Sequence, residues 1–297
     1  MSEHVAIVEV GPRDGLQARK DPVATTARIG LVEHLRRAGA RRIEVGSFVS
    51  PRAVPRMADT AEVMAATGSR GRDGDMVLVA SERGLDQALE NGARAIAVFT
   101  AASDAFAEKN IGRTVAESLA RFRPLVAKAR DAGVFVRGYV STITDCPYSG
   151  RIAPHPVSEV SRALRDMGCG EISLGETLGK ATPARIAAVV EAVARHVPLT
   201  ELAAHFHDTY GMGIANVAEA LRLGIRTVDA AAGGLGGCPF APGASGNVAT
   251  EDVLYLLQGE GYDCEISMEP LLDAVAFIER DMGIRPTSRV YKALRGG

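Results

Sequence analysis

Length, composition and charge exclude several classes of protein. The chain has 297 residues, which is long for one domain but ordinary for a (β/α) barrel. A hydrophobic fraction of 46% and a formal net charge of −2 argue against a disordered chain and against a basic, nucleic-acid-binding surface. The cysteines form no C-x-x-C pair, which argues against a zinc ribbon or a disulfide framework.

We expect no targeting segment at the start of this sequence. A strand-like run begins by Val5, and no apolar stretch approaches the roughly 18 residues of a membrane helix. We therefore expect a soluble, cytoplasmic protein with reduced thiols that neither enters a membrane nor binds nucleic acid.

Short β-branched runs alternate with longer segments of helical character along the chain. Strands are predicted at 6–10, 42–46, 76–79, 95–100, 135–141, 171–174, 202–207 and 227–231. Helices are predicted near 23–38, 53–66, 84–91, 114–132, 156–167, 183–196, 214–223 and 249–259. Several helices end at a glycine that directly precedes the next strand, as at Gly39 and Gly168.

This alternation predicts one fold, with one alternative left open. Eight strand–helix units favour an α/β fold, a (β/α)8 TIM barrel over about residues 5–261 as a single domain. An open, doubly wound sheet is the alternative. The segment 262–297 carries a further predicted helix at 270–282, which we expect to cap the barrel or to pack against a partner.

Two histidines at the end of the seventh predicted strand point to a metal site. Side chains alternate faces along a strand, so His205 and His207 share one side and Phe206 faces the other. Neutral imidazole is a common metal ligand, and this spacing suits two ligands of one divalent cation. The alternative is a pair of ordinary polar residues at a strand end.

The first predicted strand runs into an Arg13-Asp14 pair between a proline and a glycine. In a TIM barrel this strand end faces the same mouth as the two histidines. Asp14, His205 and His207 would then form a mixed oxygen and nitrogen site suited to Mg²⁺ or Mn²⁺. The alternative for the pair alone is a solvated ion pair in a turn.

A glycine-rich segment at 233–247 follows the last predicted strand and matches no phosphate-binding fingerprint. We expect a mobile loop that carries Cys238, although a buried thiol is the alternative. Asn247 is either a metal ligand or the cap of the next helix. Glu44 and Glu176, at two other strand ends, either support Arg13 or form structural ion pairs.

Five motifs together resemble the 3-hydroxy-3-methylglutaryl-CoA lyase family of TIM-barrel metallolyases. They are VEVGPRDGLQ at 8–17, SFVSP at 47–51, RGYVS at 137–141, HFHDTYG at 205–211, and GLGGCP at 234–239 with GASGN at 243–247. The resemblance runs in order from about Val5 to Gly261, which is most of the chain.

The resemblance implies a retro-Claisen cleavage of an acyl-CoA substrate to acetyl-CoA and acetoacetate. By motif, the ligands of a divalent cation, Mg²⁺ or Mn²⁺, would be Asp14, His205, His207 and Asn247. Arg13 would stabilise the thioester oxyanion, Asp14 or His205 would take the hydroxyl proton, and Cys238 would protonate the enolate. Glu44 matches the supporting carboxylate of the family at the second strand.

Some departures from the family pattern leave the substrate open. Glu176 stands where aspartate is common, and Lys180 stands where a small or apolar residue is usual. We expect Glu176 and Ser141 to contact substrate beside Arg13, with the acyl pocket altered by Glu176. Citramalyl-CoA or a longer-chain homologue is one alternative substrate, and a 2-oxo acid condensing enzyme is a second alternative. A homo-oligomer, dimer or tetramer, is also expected.

Overall fold

A computed structural model describes residues 2–17, 19, 22–52, 54–237 and 246–296 of the chain. The strands are β1 Ala6–Glu9, β2 Arg42–Phe48, β3 Asp75–Val79, β4 Ala95–Ala101, β5 Phe135–Ser141, β6 Asp145–Cys146, β7 Gly150–Arg151, β8 Glu171–Glu176, β9 Leu202–Phe206 and β10 Thr227–Ala230. The helices are α1 Thr25–Arg37, α2 Thr60–Ala66, α3 Glu82–Glu90, α4 Asp104–Ile111, α5 Val115–Asp131, α6 Pro154–Asp166, α7 Pro183–Val193, α8 Gly213–Arg222, α9 Thr250–Gly259, α10 Met268–Arg280 and α11 Arg289–Arg295.

The strands close into a parallel barrel. Among the described residues its order is β1-β10-β9-β8-β5-β4-β3-β2, and β1 pairs with both β10 and β2. Every predicted strand is present, with ends shifted by one or two residues. The closed barrel is therefore confirmed over the open sheet, because no strand edge of this sheet is left without a neighbour within the described part of the chain.

Several elements were not predicted. The short hairpin of β6 and β7 and the helices α4 and α11 were missed, and the predicted helix at 53–66 begins only at Thr60, after a short turn at Pro55–Met57. α4 does carry helix signals, since Ser103 caps its first turn and Gly112 ends it in a left-handed conformation. It was missed because it has only eight residues and lies directly between β4 and α5.

The glycines that were predicted to stop helices do so. Gly39, Gly92, Gly133, Gly168 and Gly224 all have positive φ. At Gly39 a side chain is excluded twice, because φ is +102° and a Cβ atom would lie 2.3 Å from the carbonyl oxygen of Glu265. This close approach belongs to the packing of the segment before α10 on the end of α1.

The last two helices lie outside the barrel wall. α10 packs against α1 and α9, and α11 packs against α9 and α10. The start of α11 is fixed by Asp252 of α9, whose carboxylate accepts hydrogen bonds from Ser288, Arg289 and Val290. None of the helices in the described part of the chain is long and apolar enough to span a membrane.

Candidate active site

Three potential metal ligands meet at the C-terminal mouth of the barrel. The ligand atoms of Asp14, His205 and His207 all lie within 4.8 Å of one another. Asp14 lies in a π-helical turn, Gly11–Gly15, that follows β1 directly, and the two histidines lie at the end of β9. The structure therefore brings together the three residues predicted to form a site.

Hydrogen bonds orient both imidazole rings. The Nδ1 atom of His205 lies 3.0 Å from a carboxylate oxygen of Asp229. The Nδ1 atom of His207 lies 2.6 Å from the carbonyl oxygen of Thr177. Burial, with His205 nearby, lowers the pKa of His207 and keeps its ring neutral. Each acceptor holds a proton on Nδ1, so that the Nε2 lone pair is free to bind a cation.

Asn247 completes the set of oxygen and nitrogen donors. Its Nδ2 atom donates to a carboxylate oxygen of Asp14 at 3.0 Å and to the carbonyl oxygen of Leu235 at 3.1 Å. Its Oδ1 atom is buried and has no hydrogen-bond partner among the described residues. An unpaired buried oxygen beside a carboxylate and two imidazoles fits a divalent cation, which would give that oxygen a partner.

Arg13 and Asp14 form an ion pair, and each also contacts other residues of the site. Arg13 contacts Glu44, and Asp14 lies beside the two histidines. The Arg13 guanidinium donates to Asp14 at 2.8 Å and through Nε to Glu44 at 2.6 Å. Burial alone would raise the pKa of Asp14, but Arg13, His205, His207 and Asn247 together lower it to about 2. Asp14 is therefore ionised at neutral pH, and Glu44 fixes the direction of Arg13.

The floor of the mouth is a buried polar network that the sequence analysis missed. Asp229 accepts from Arg137 at 2.6 Å and from Ser173 at 2.9 Å, and it also faces His205. Arg137 also donates to the Tyr139 hydroxyl at 2.9 Å, and the Tyr139 ring packs edge-on against His205. Alternation along β5 places Arg137 and Tyr139 on one face, which is the signal that could have revealed them.

A cavity of about 740 Å³ opens from this cluster across the mouth. Its metal end is lined by Arg13, Asp14, Tyr139, Ser141, Thr177, His205 and His207. The cavity also has apolar walls from Leu78, Phe99 and Phe122, with Arg113 and Arg121 in the lining. Ser141 therefore lies where a substrate contact is predicted, and the cavity suits a long ligand with apolar and anionic parts.

The structure places Glu176 outside the cavity lining, and its predicted contact with substrate stays a prediction. Gly175 and Thr177 line the cavity, whereas the buried Glu176 between them does not. Its carboxylate instead accepts from Thr144 at 3.3 Å and from the Lys180 amide at 3.4 Å. The reason is strand alternation, because β8 continues to Glu176 and turns this side chain towards the surrounding loops.

Cys238 lies outside the described residues, so its role as a proton donor stays a prediction. The last residue described before it, Gly237, lines the cavity. The Lys180 side chain lies apart from the cavity lining and forms an ion pair with Asp145 at 3.3 Å.

Comparisons with known proteins agree over nearly the whole chain. A family model described as HMGL-like matches residues 4–278. Hydroxymethylglutaryl-CoA lyase of Pseudomonas mevalonii is 47% identical over 290 residues, covering 98% of this chain and 96% of that protein. The 3-hydroxy-3-isohexenylglutaryl-CoA/hydroxy-methylglutaryl-CoA lyase of Pseudomonas aeruginosa is 47% identical, covering 99% of this chain and 98% of that protein. A crystal structure of hydroxymethylglutaryl-CoA lyase from Pseudomonas aeruginosa has a TM-score of 0.95 at 47% identity, covering 100% of this chain and 99% of that chain.

Proposed function

The chain belongs to the HMGL-like family, and from this premise we propose that it cleaves 3-hydroxy-3-methylglutaryl-CoA to acetyl-CoA and acetoacetate with the help of a divalent cation. The observation that carries the proposal is the cluster of Asp14, His205 and His207 beside the unpaired Asn247 oxygen, at the end of a long cavity. When bound, the cation supplies Lewis-acid polarisation of substrate oxygens.

The cleavage requires a base and a stabiliser of negative charge. Asp14 accepts the proton of the tertiary hydroxyl, or His205 does so if its Nε2 is not bound to the cation, and the bond between C2 and C3 breaks with its electron pair moving to C2. Negative charge then develops on the thioester oxygen. Arg13 is fixed by Glu44 at 2.6 Å and donates a hydrogen bond to that oxygen without reorganising. Cys238 delivers the proton that C2 needs to become the methyl group of acetyl-CoA.

The donor set also bears on the cation and on the environment of the reaction. Two imidazoles, a carboxylate and an amide oxygen suit Mn²⁺ or Mg²⁺, and we propose these ions. Tyr139 lines the cavity and accepts a hydrogen bond from the buried Arg137 behind it, so substrate meets a fixed wall on that side. The homo-oligomer and the cytoplasmic location stay predictions.

A substrate with a larger group at C3 is a second candidate. The cavity arm walled by Leu78, Phe99 and Phe122 gives apolar volume, with Leu78 and Phe99 packed beside Tyr139. The Pseudomonas aeruginosa relative is named for a substrate with an isohexenyl group as well as for the methyl substrate. A longer alkyl group would bury apolar surface in this arm, which favours binding by about 0.8 kcal/mol for each methylene group.

A panel of acyl-CoA thioesters, assayed with Mg²⁺ or Mn²⁺, tests the function. We expect acetyl-CoA and acetoacetate from the methyl substrate, no turnover after chelation, and loss of both turnover and Mn²⁺ binding in His207→Ala. The control is His155→Ala, because His155 lies outside the cavity. Release of free CoA from acetyl-CoA and a 2-oxo acid, with no cleavage of any 3-hydroxy-acyl-CoA, would instead identify a condensing enzyme.

A further inference from the structure

The segments on either side of the undescribed residues 238–245 touch each other. The chain leaves β10 through residues 232–236 and returns at residues 246–247. A Cβ atom on Gly246 would lie 2.5 Å from the Cα atom of Gly236, so the two backbones are in direct contact. On this loop neck, which we define as residues 232–236 and 246–247, the Leu235 carbonyl accepts from Asn247 Nδ2 at 3.1 Å.

Glu9 holds the neck from the barrel side. This last residue of β1 is fully buried, and it is not in the cavity lining. Its carboxylate accepts from the amide of Ala232 at 3.0 Å, from the amide of Gly11 at 2.9 Å and from the hydroxyl of Thr250 at 2.6 Å. It therefore ties the neck to the turn that carries Asp14.

Glu251 holds the next peptide unit from the helix side. It is fully buried in α9, and both of its carboxylate oxygens lie 3.1 Å from the amide nitrogen of Gly233. On the other side the Thr287 amide, from the segment before α11, donates to the Gly233 carbonyl at 2.9 Å. Gly233 and Gly234 have φ of +67° and +66°. Because glycine is conformationally flexible, these two residues alone would not hold the backbone in this conformation.

We propose that Glu9 and Glu251 are positioning residues that set the affinity of the active site for a divalent cation. By fixing Ala232 and Gly233 they fix the Leu235 carbonyl, which accepts from Asn247 Nδ2 and so holds the Asn247 amide beside Asp14 of the cluster. Neither glutamate contacts the cluster. This inference rests on the cation site of the proposed function.

The test measures the binding of Mn²⁺ to substrate-free protein directly. Binding is measured by calorimetry or from the electron spin resonance signal of free Mn²⁺. Glu9→Gln places an amide donor among three donors, and Glu251→Ala removes both acceptors of the Gly233 amide. We expect each to raise the Kd by about 10-fold or more, the usual effect of losing a group that orients a ligand. Glu251→Gln keeps one acceptor and should fall between Glu251→Ala and the parent.

The controls separate positioning from general stability. Glu260 is exposed at the end of the same helix, and the Glu260→Gln variant should bind Mn²⁺ with the Kd of the parent protein. If the glutamates only stabilise the fold, folded variants will show a lower Tm with the parental Kd, and the inference is overturned. Where Glu251→Ala does not fold, Glu251→Gln decides by the same criterion. If the parent protein itself binds no Mn²⁺, the proposed cation site is wrong. That outcome differs from variants that bind Mn²⁺ with the Kd of the parent, which would overturn only this inference.

Discussion

His205 directs Nδ1 at the carboxylate of Asp229, 3.0 Å away in the floor of the barrel mouth. Burial would raise the pKa of Asp229, but Arg137 and His205 hold it well below its usual range. Asp229 is thus a fixed anion that accepts a hydrogen bond from Nδ1 of His205, so that Nε2 points away from Asp229. A residue of the last barrel strand therefore determines which nitrogen of His205 faces the reacting groups.

Asp229→Asn should weaken the cation site while the barrel stays closed. The neutral amide can present its NH2 group to Nδ1 and favour the wrong tautomer, and it no longer balances the charge of Arg137. We expect the Kd for Mn²⁺ to rise by about 10- to 100-fold. Ser173→Ala is the control, because it removes another hydrogen bond to Asp229 without touching His205. Parental Mn²⁺ affinity in Asp229→Asn would show that the bond does not set the tautomer.

Glu176→Asp should leave substrate preference unchanged. Glu176 faces Thr144 and the Lys180 amide rather than the cavity, so one methylene less should not alter the acyl pocket. The measurement is the ratio of kcat/KM for the methyl substrate and a longer 3-alkyl homologue in parent and variant. A tenfold change in that ratio would show that Glu176 forms part of the acyl pocket, because the Glu176 side chain would then account for about 1.4 kcal/mol of the discrimination between the two substrates.

Cys238→Ser tests the proton donor without disturbing the described ligands. The serine hydroxyl is close in size but a much weaker acid, so protonation of the enolate should slow. We expect kcat to fall by about 10²- to 10⁴-fold with the Kd for Mn²⁺ unchanged. Cys264→Ser is the control, because Cys264 is not in the cavity lining. Normal turnover by the Cys238 variant would rule the thiol out as the acid.

Stability should decrease as pH rises from about 4.5 to about 8. Burial raises the pKa of Glu9 from 4.5 to about 7 and that of Glu251 from 4.5 to about 8. In this window the folded protein binds protons that the unfolded chain has already released, so the free energy of unfolding falls, at a limiting slope of about 1.4 kcal/mol per pH unit for each proton. Asp252, next to Glu251, raises the pKa of Glu251 further.

Urea titrations of metal-free protein across this range measure the slope. Glu9→Gln combined with Glu251→Gln should flatten the profile, since an amide does not titrate. Glu260→Gln should keep the parental slope, because its side chain is exposed. A profile that is equally steep with and without the two buried carboxyls would assign the pH dependence to other groups.

The fold was predictable because the barrel imposes regular signals on the sequence. Gly39 and the other four helix-stop glycines mark five of the returns to a strand, and the alternation of His205, Phe206 and His207 places both imidazoles on one side. Asp229 was missed because one charged residue in the short strand β10 does not reveal which face it occupies. The direction of the Glu176 side chain was not predictable, because the strand before it runs two residues beyond its predicted end.

Contacts across the mouth could not be predicted from local patterns. The hydrogen bonds of Glu9 to Ala232 and Thr250 join residues more than 200 positions apart, as does that of Asn247 to Asp14. Such pairs depend on the closure of the barrel and on the path of the chain after β10. No periodicity of the sequence encodes them.

The π-helical turn Gly11–Gly15 limits how this part of the chain can change in length. The amide of Gly15 donates to the carbonyl of Val10 at 3.2 Å, which closes the wide loop that sends Arg13 towards Glu44 and Asp14 towards the histidines. Deleting one residue between Gly11 and Asp14 would change the direction of the Asp14 side chain and separate it from the imidazoles. Insertions and deletions should accumulate in the surface loops at the opposite end of the barrel, while these five positions keep a fixed count.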